Sequence, residues 1–366
     1  MSTSYPLTSS DFLIPSTKIL VRRSVSLKEE KATTFRIGGP AQFFARVFSA
    51  ADLEAAVSYA VSKRWPVTVL GGGSNTLISD KGVQGLVLIY SSRNFVLGEE
   101  KEVSLSPVPP RHASVGEEYY STVDLDYVDT GLRQEITLDA GMTLALAISR
   151  THQVGLTGLC HFGGIPGTLG GALYNNAHGG KKHFSDYFVS AEILEITGPE
   201  VIKKTVDASY FQLGYDQSRL RENSSSRQII VLRVTLSLFR GDVAAAKTYA
   251  QTYLRRKKEK QPWNSAGCVF QNLTSLEQAK IGTTNPSWGL VTDKFLGWKG
   301  KRCGQAVISP LHASFIVNED YGASAQDVLA LMKLIKREFF DRYGVSLRPE
   351  IKFLGFSESE LAFLFE

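Results

Sequence analysis

Two glycine-rich stretches are the first residues whose types and spacing could do chemistry. Gly71-Gly72-Gly73-Ser74-Asn75 puts three residues without side chains in a row. Backbone N–H groups there can approach an anion that bulkier residues would hold off. The spacing is neither a Gly-x-Gly-x-x-Gly dinucleotide fingerprint nor a Gly-Lys-Ser/Thr phosphate loop, and alone it describes a tight turn equally well. The second stretch, Gly163-Gly164-Ile165-Pro166-Gly167-Thr168-Leu169-Gly170-Gly171-Ala172, holds five glycines and one proline in ten positions. Each interior glycine costs about 0.5–1 kcal/mol relative to alanine, so the composition argues against a packed helix or strand. It suits a backbone surface pressed against a flat or pyrophosphate-bearing ligand, with an elaborate interdomain loop as the plainer alternative. Two such turns in one chain point toward a dinucleotide.

Three side chains stand out beside them. Cys268 lies among small residues in Asn264-Ser265-Ala266-Gly267-Cys268-Val269-Phe270, a setting that offers a thiol to a ligand, although a buried inert cysteine is commoner. Glu350 follows Pro349 in an alternating apolar run and is either a positioned acid or a solvated strand-edge charge. His312 has the same ambiguity. The six histidines show no metal-ligand spacing, and Cys160, Cys268 and Cys303 are too scattered for a zinc site or a disulfide framework. No metal is expected, and a reducing compartment is.

The elements that must hold these residues follow from periodicity. A strand over 43–48, a helix over 50–64, a strand over 67–70 and a strand over 83–90 make a β-α-β unit, with the first glycine turn on a strand's carboxyl end. Residues 97–128, rich in Glu and Pro, read as a surface insertion. A strand over 134–139 and a helix over 143–154 lead into the second glycine stretch. Strands follow over 189–197 and 229–239. The helix over 241–260 ends in Arg255-Arg256-Lys257-Lys258, cations that complement its dipole, and Pro262 closes it. The helix over 324–343, with Ser324 as N-cap and Val328, Leu331, Met332, Ile335 and Phe339 on one face, is the clearest.

The chain's 366 residues suggest two or three domains. Ordinary apolar and charged fractions, 43% and 21%, exclude a disordered or fibrous chain. A formal charge of +5 fits an anionic small ligand better than a nucleic-acid track. No apolar run is long enough to span a membrane. The start lacks a basic region followed by an apolar one, so no signal peptide is expected and residues 1–19 read as an N-terminal arm.

Taken together, six segments in order resemble the UDP-N-acetylenolpyruvoylglucosamine reductase family. They are Thr34-Phe-Arg-Ile-Gly-Gly-Pro-Ala41, Leu70-Gly-Gly-Gly-Ser-Asn-Thr-Leu77, residues 158–172, residues 255–262 with Ser265-Ala-Gly-Cys-Val-Phe270, residues 312–318, and Pro349-Glu-Ile-Lys-Phe-Leu-Gly355. The short return before the helix at 241 looks like the shorter of the family's two loop forms. The resemblance implies an α+β flavoenzyme in three parts, with a two-part FAD-binding module of the vanillyl-alcohol-oxidase kind and a C-terminal α+β substrate domain. The corresponding boundaries are 20–92 rejoined by 347–366, then 93–241, then 242–346.

The resemblance further implies FAD as bound cofactor, NADPH as co-substrate and a UDP-sugar bearing an enolpyruvyl group as substrate. The setting would be peptidoglycan precursor synthesis in the cytoplasm, without nucleic acid, membrane or obligate protein partner. By resemblance, Gly71, Gly72, Gly73, Ser74 and Asn75, with Ile165, Pro166, Gly167, Thr168, Gly170, Gly171 and Ala172, contact the flavin cofactor. Cys268 matches the proton donor, usually serine, while hydride comes from reduced flavin. Glu350 matches the carboxyl group that helps hold and protonate the enolate. Two departures stand against this. Asp216, in Gly214-Tyr215-Asp216-Gln217-Ser218, occupies the place of a family arginine, for which Arg219 or Arg221 could stand in. The second is Asn176-Ala177-His178-Gly179-Gly180, where the family has Asn-Ala-Gly. They leave open a flavin-binding homologue with a changed substrate or lost catalysis.

Overall fold

The computed structural model describes residues 11–101, 127, 129, 131–180, 182–224 and 226–365. Most of the insertion expected over 97–128, and residues 1–10 of the expected arm, lie outside these. Strands β1 (Phe12–Leu13), β2 (Leu20–Ser26), β3 (Pro40–Val47), β4 (Val67–Leu70) and β6 (Val83–Tyr90) form a first sheet in the order β1-β2-β3-β6-β4. Helix α1 (Ala50–Ser62) covers one face, its first turn capped by the Ser49 side chain, which accepts from the Asp52 N–H. Leu53, Ala56, Val57 and Ala60 pack from α1 onto Leu86 and Leu88, in a core without solvent. Burial of each large aliphatic side chain there contributes about 2 kcal/mol. Strand β5 (Thr76–Ile78) follows the first glycine turn and leaves this sheet.

The second sheet is antiparallel, in the order β13-β12-β14-β8-β7. Its strands are β7 (Phe95–Lys101), β8 (Arg133–Asp139), β12 (Phe188–Thr197), β13 (Glu200–Asp207) and β14 (Gln228–Arg240), and β9 (Leu156–Thr157) adds to β14. Helices α2 (Leu144–Gln153) and α3 (Leu169–Asn175) lie against it. The composition of residues 163–172 argued against a packed helix, and α3 corrects this. Leu169, Ala172 and Leu173 are buried on its inner face. A Cβ on Gly170 would stand only 3.2 Å from the Ala140 carbonyl oxygen, so the glycine is what allows the close approach. Tertiary packing overrides the propensity cost. The short hairpin β10 (His178–Gly179) and β11 (Lys182–His183) follows, and helix α4 (Ala208–Phe211) closes β13.

Helix α5 (Val243–Lys260) packs on the 3₁₀ turn Leu159–Phe162. His161 meets both the Tyr249 hydroxyl and the Asp129 carboxylate at 3.2 Å, and Tyr187 donates to the same carboxylate at 2.6 Å. Asp129, Cys160 and His161 thus come within 4.8 Å of one another, a cluster that sequence spacing did not reveal and that fastens α5. Beyond it, α6 (Ser275–Ile281), α7 (Trp288–Lys294) and α8 (Ala325–Tyr343) surround a three-stranded sheet of β15 (Arg302–Cys303), β16 (Ala306–Ile308) and β17 (Ile316–Val317). Phe270, Trp288, Met332 and Phe339 form the centre of this core. The chain then returns to the first unit: β18 (Lys352–Leu354) pairs in parallel with β5, and α9 (Glu358–Phe365) ends the fold. Glu350 lies just before β18, not within it.

Candidate active site

The two glycine stretches meet. Ser74 Oγ donates to the Pro166 carbonyl at 3.1 Å. A Cβ on Gly71 would stand 2.2 Å from Thr168 Oγ1, and one on Gly72 2.8 Å from Gly167 Cα. Gly73 has φ +57°, and a Cβ there would stand 2.1 Å from the Ala32 carbonyl oxygen. These glycines therefore serve loop-on-loop packing as well as any ligand. All twelve residues named from the two stretches line one cleft of about 280 Å³. Its other walls include Tyr90, Leu144 and Ile230. The only atom near a Cβ built on Gly171 would be Thr168 Oγ1, at 3.7 Å, so that glycine keeps the cleft open.

Asn75 joins the cleft to the acids. Its side-chain N–H donates to the Glu350 carbonyl at 3.4 Å, and its carbonyl accepts from the Lys352 N–H at 2.9 Å. Glu350 N–H donates to Val269 O at 3.0 Å, and Val269 N–H to Ser314 O at 3.1 Å, so Cys268 and Glu350 stand on neighbouring extended segments. Burial pushes the Cys268 thiol well above its usual range, reinforced by the negative charges of Glu350 and Asp216 and opposed by Ser314 and Lys257. Burial also raises Glu350 well above the carboxylate range, with Asp216 adding to the rise and Arg221 opposing it. In both groups burial favours the protonated form.

Cations surround these acids. Lys257, on the face of α5 that carries Tyr249 and Tyr253, is lowered to about 8 by burial. Lys352 is lowered to about 8 by burial and by Arg221, and its ammonium lies 5.3 Å from the Tyr174 ring centre. Arg221 donates to Asn175 Oδ1 at 3.2 Å. His178 lies tilted beside Tyr215, with ring centres 5.5 Å apart, and burial lowers it to about 4, so it is neutral at pH 7.

The remaining sequence candidates lie as follows. Arg219 stands over the Tyr210 ring at 4.7 Å, and the arginine whose charge acts on Glu350 and Asp216 is Arg221. His312 packs edge-on against Phe315, lowered to about 4 by burial and by Lys299. Lys299 in turn pairs with Asp293 at 3.0 Å. Sequence reasoning missed Lys352 and Ser314 and did not single out Lys257. The spacing Tyr249, Tyr253, Lys257 would have flagged the last, since residues four apart share a helix face.

Comparison with known proteins identifies the family. The model for the C-terminal domain of UDP-N-acetylenolpyruvoylglucosamine reductase matches residues 258–354. The UDP-N-acetylenolpyruvoylglucosamine reductase of Prochlorococcus marinus (strain NATL2A) is 31% identical over 340 residues, covering 92% of this chain and 99% of its own length. That of Clostridium novyi (strain NT) is 28% identical and covers 90% of each. The crystal structure of UDP-N-acetylenolpyruvylglucosamine reductase from Thermus caldophilus superposes with a TM-score of 0.63 at 26% identity, over 92% of this chain and 99% of that one. On sequence, on fold and over nearly its whole length, the chain belongs to the UDP-N-acetylenolpyruvoylglucosamine reductase family.

Proposed function

We propose that this chain reduces the enolpyruvyl double bond of UDP-N-acetylenolpyruvoylglucosamine, giving UDP-N-acetylmuramate, with Cys268 as the proton donor. The chain is a flavoenzyme that uses FAD and NADPH. The cleft fits FAD: a main-chain floor at residues 71–75 and 166–171 suits a pyrophosphate, and apolar walls suit a ring system. FAD, when bound, carries hydride from NADPH to the outer carbon of the enolpyruvyl group.

The side chains supply the rest. Cys268 Sγ–H delivers a proton to the inner carbon, the double bond becomes single, NADPH becomes NADP⁺, and the thiolate regains a proton from water. Glu350, neutral and adjacent, donates a hydrogen bond to the negative charge that develops on the substrate carboxylate, and Arg221 balances that charge. Lys257 and Lys352 hold the anionic parts of the substrate. No helix is long and apolar enough to cross a membrane, among the described residues, and the reading places the reaction in the cytoplasm.

The adjacency of Cys268 and Glu350, tied through Asn75 to the cleft, is the observation that carries this reading. The test is NADPH oxidation by the yellow protein with and without the enolpyruvyl sugar nucleotide. Substrate-dependent turnover is expected. Bound flavin without any acceleration by substrate would defeat the reading. Asp216, a negative charge in the reaction site, favours a homologue with a changed substrate as the second reading.

A further inference from the structure

The 3₁₀ turn Leu159–Phe162 carries metal-ligating groups that the reaction does not use. Cys160, His161 and Asp129 each offer one ligand atom, and these atoms all lie within 4.8 Å of one another. The Cys160 thiol is free and fully buried, and the His161 and Asp129 side chains are only 5% and 3% exposed. Hydrogen bonds account for part of the cluster. His161 Nε2 meets Asp129 Oδ2 at 3.2 Å, Tyr187 donates to the same oxygen at 2.6 Å, and His161 Nδ1 meets Tyr249 Oη at 3.2 Å. They leave out the other carboxylate oxygen: Asp129 Oδ1 is buried without a hydrogen-bond partner. So is the hydroxyl of Tyr127, which packs against the group that includes Cys160, with its ring centre 5.7 Å from that of His161. Two orphaned oxygens in one buried cluster are costly unless something binds them.

The donor set selects the occupant. Thiolate, imidazole and carboxylate together suit zinc, whereas magnesium and calcium take oxygen ligands alone. Thiolate and carboxylate bring two negative charges, which a divalent ion cancels, so the buried site becomes neutral. The distances fit as well. Zinc bonds of about 2.0–2.1 Å place a nitrogen and an oxygen about 3.4 Å apart at two tetrahedral corners, and Nε2 already stands 3.2 Å from the carboxylate. A sulfur bonded at about 2.3 Å belongs about 3.6 Å from each of them, so the thiol, within 4.8 Å of both, moves inward by about 1.2 Å at most. The outer partners are those that a bound imidazole and carboxylate need. With Nε2 on the ion, Nδ1–H donates to Tyr249 Oη, and Oδ2 keeps its bond from Tyr187 while Oδ1 gains the partner it lacks.

We propose that Asp129, Cys160 and His161 bind one zinc ion, with an oxygen in the fourth position, for which the Tyr127 hydroxyl is at hand. The ion is structural. It fixes the turn on which α5 packs and which runs directly into the glycine stretch at Gly163, so it braces one wall of the cofactor cleft. Sequence spacing does not disclose the site, because Asp129 stands 32 residues before His161.

The test is the zinc content of the flavin-loaded protein, purified without a metal-affinity step, desalted after equilibration with zinc alone, and read by elemental mass spectrometry and zinc-edge X-ray absorption. About one zinc per chain is expected, with one sulfur neighbour at about 2.3 Å and the remainder nitrogen or oxygen at about 2.0–2.1 Å. Cys160→Ala and Asp129→Asn should each lower zinc affinity by about tenfold or more, and Cys303→Ala, a thiol outside the cluster, should leave it unchanged. In the wild type a chelator should lower the thermal midpoint and added zinc restore it, and neither should move the midpoint of Cys160→Ala. Wild-type protein without zinc, zinc without a sulfur neighbour, or zinc that Cys160→Ala binds as tightly overturns the proposal, and the absorption spectrum of the wild type decides it even where a variant fails to fold. None of these readouts needs turnover, so they stand apart from the test of the reductase reading.

Discussion

Around the glycine-lined cleft the contact surface is largely main chain: Gly71, Gly72 and Gly73 press against Thr168, Gly167 and Ala32, and no charged side chain is needed for the shape. Around Cys268 and Glu350 the surface is side chain: a thiol, two carboxyls, two lysines and an arginine from five segments spread between positions 216 and 352. The first region is specified by composition, in two short glycine-rich runs that meet across the fold. The second exists only after the third core forms and β18 returns to β5. Substitutions should therefore fail differently in the two regions: those in the cleft lose the cofactor and the fold, whereas those at the cluster lose turnover from an intact yellow protein.

The largest effect expected is at the joint between the loops. Gly71→Ala puts a Cβ 2.2 Å from Thr168 Oγ1, and Gly73→Ala puts one 2.1 Å from a carbonyl oxygen at a φ that alanine resists. Each should cost about 3 kcal/mol, read as a lowered urea midpoint and loss of flavin absorbance. Gly267→Ala, beside Cys268, meets nothing within 4 Å and should cost only the left-handed backbone strain, about 1 kcal/mol. Equal losses at Gly71 and Gly267 would erase the distinction between the regions.

Next in size is Cys268, the proposed proton donor. Cys268→Ala should keep the protein yellow and lower kcat by about 10²–10⁴-fold, the usual contribution of a positioned acid. Cys268→Ser, which retains an O–H, should recover most of it. Stopped-flow absorbance separates flavin reduction, which should be unchanged, from reoxidation by substrate, which should slow.

A tenfold effect is expected from pH. Lys257 and Lys352 lose their charge near pH 8 in the folded protein, against about 10.5 for an unperturbed lysine. Below 8 both are cationic and hold anions. As pH rises past 8, KM for the sugar nucleotide should climb, approaching tenfold per unit for one essential cation, while flavin content stays constant. The sign for stability is opposite: between 8 and 10.5 the unfolded lysines bind more protons than the folded ones, so these two groups favour folding more as pH rises. Lys257→Gln should show a KM that is high already and flatter with pH. A wild-type KM that does not change from pH 7 to 9 would remove the lysines from the substrate site.

The same contrast governs how much the sequence discloses. Strands β4 and β6 stand where their short apolar runs place them, and helix α8 where its one buried face and the Ser324 cap do. Helix α3 was hidden by Gly170 and Gly171, the first set by the carbonyl of Ala140 thirty residues upstream and the second by no close contact at all. Edge strand β13 lacks a buried side, so alternation could not mark it. In the site, the glycine loops were legible because composition itself is the device. Lys352 and Ser314 were not, since neither has a distinctive neighbour and both acquire a role only through β18 and the bridge between Cys268 and Phe315.

The smallest effect tests where the positive charge at Glu350 comes from. Arg219 and Arg221 lie two residues apart in one 3₁₀ turn, and with three residues per turn their side chains leave the axis about 120° apart. One turn therefore cannot send both to the same place, and sequence offers no means of choosing. In the fold, Arg219 lies on Tyr210, and Arg221 is held by Asn175 Oδ1 with its charge on Glu350 and Asp216. Arg219→Ala should give up only a partly exposed cation–π contact, about 0.5–1 kcal/mol of stability, with kcat and its pH profile unmoved. Arg221→Ala should lower kcat without touching flavin content. If Arg219→Ala is the variant that slows turnover, the turn sits differently in the working enzyme, and the charge balance at Glu350 must be redrawn with it.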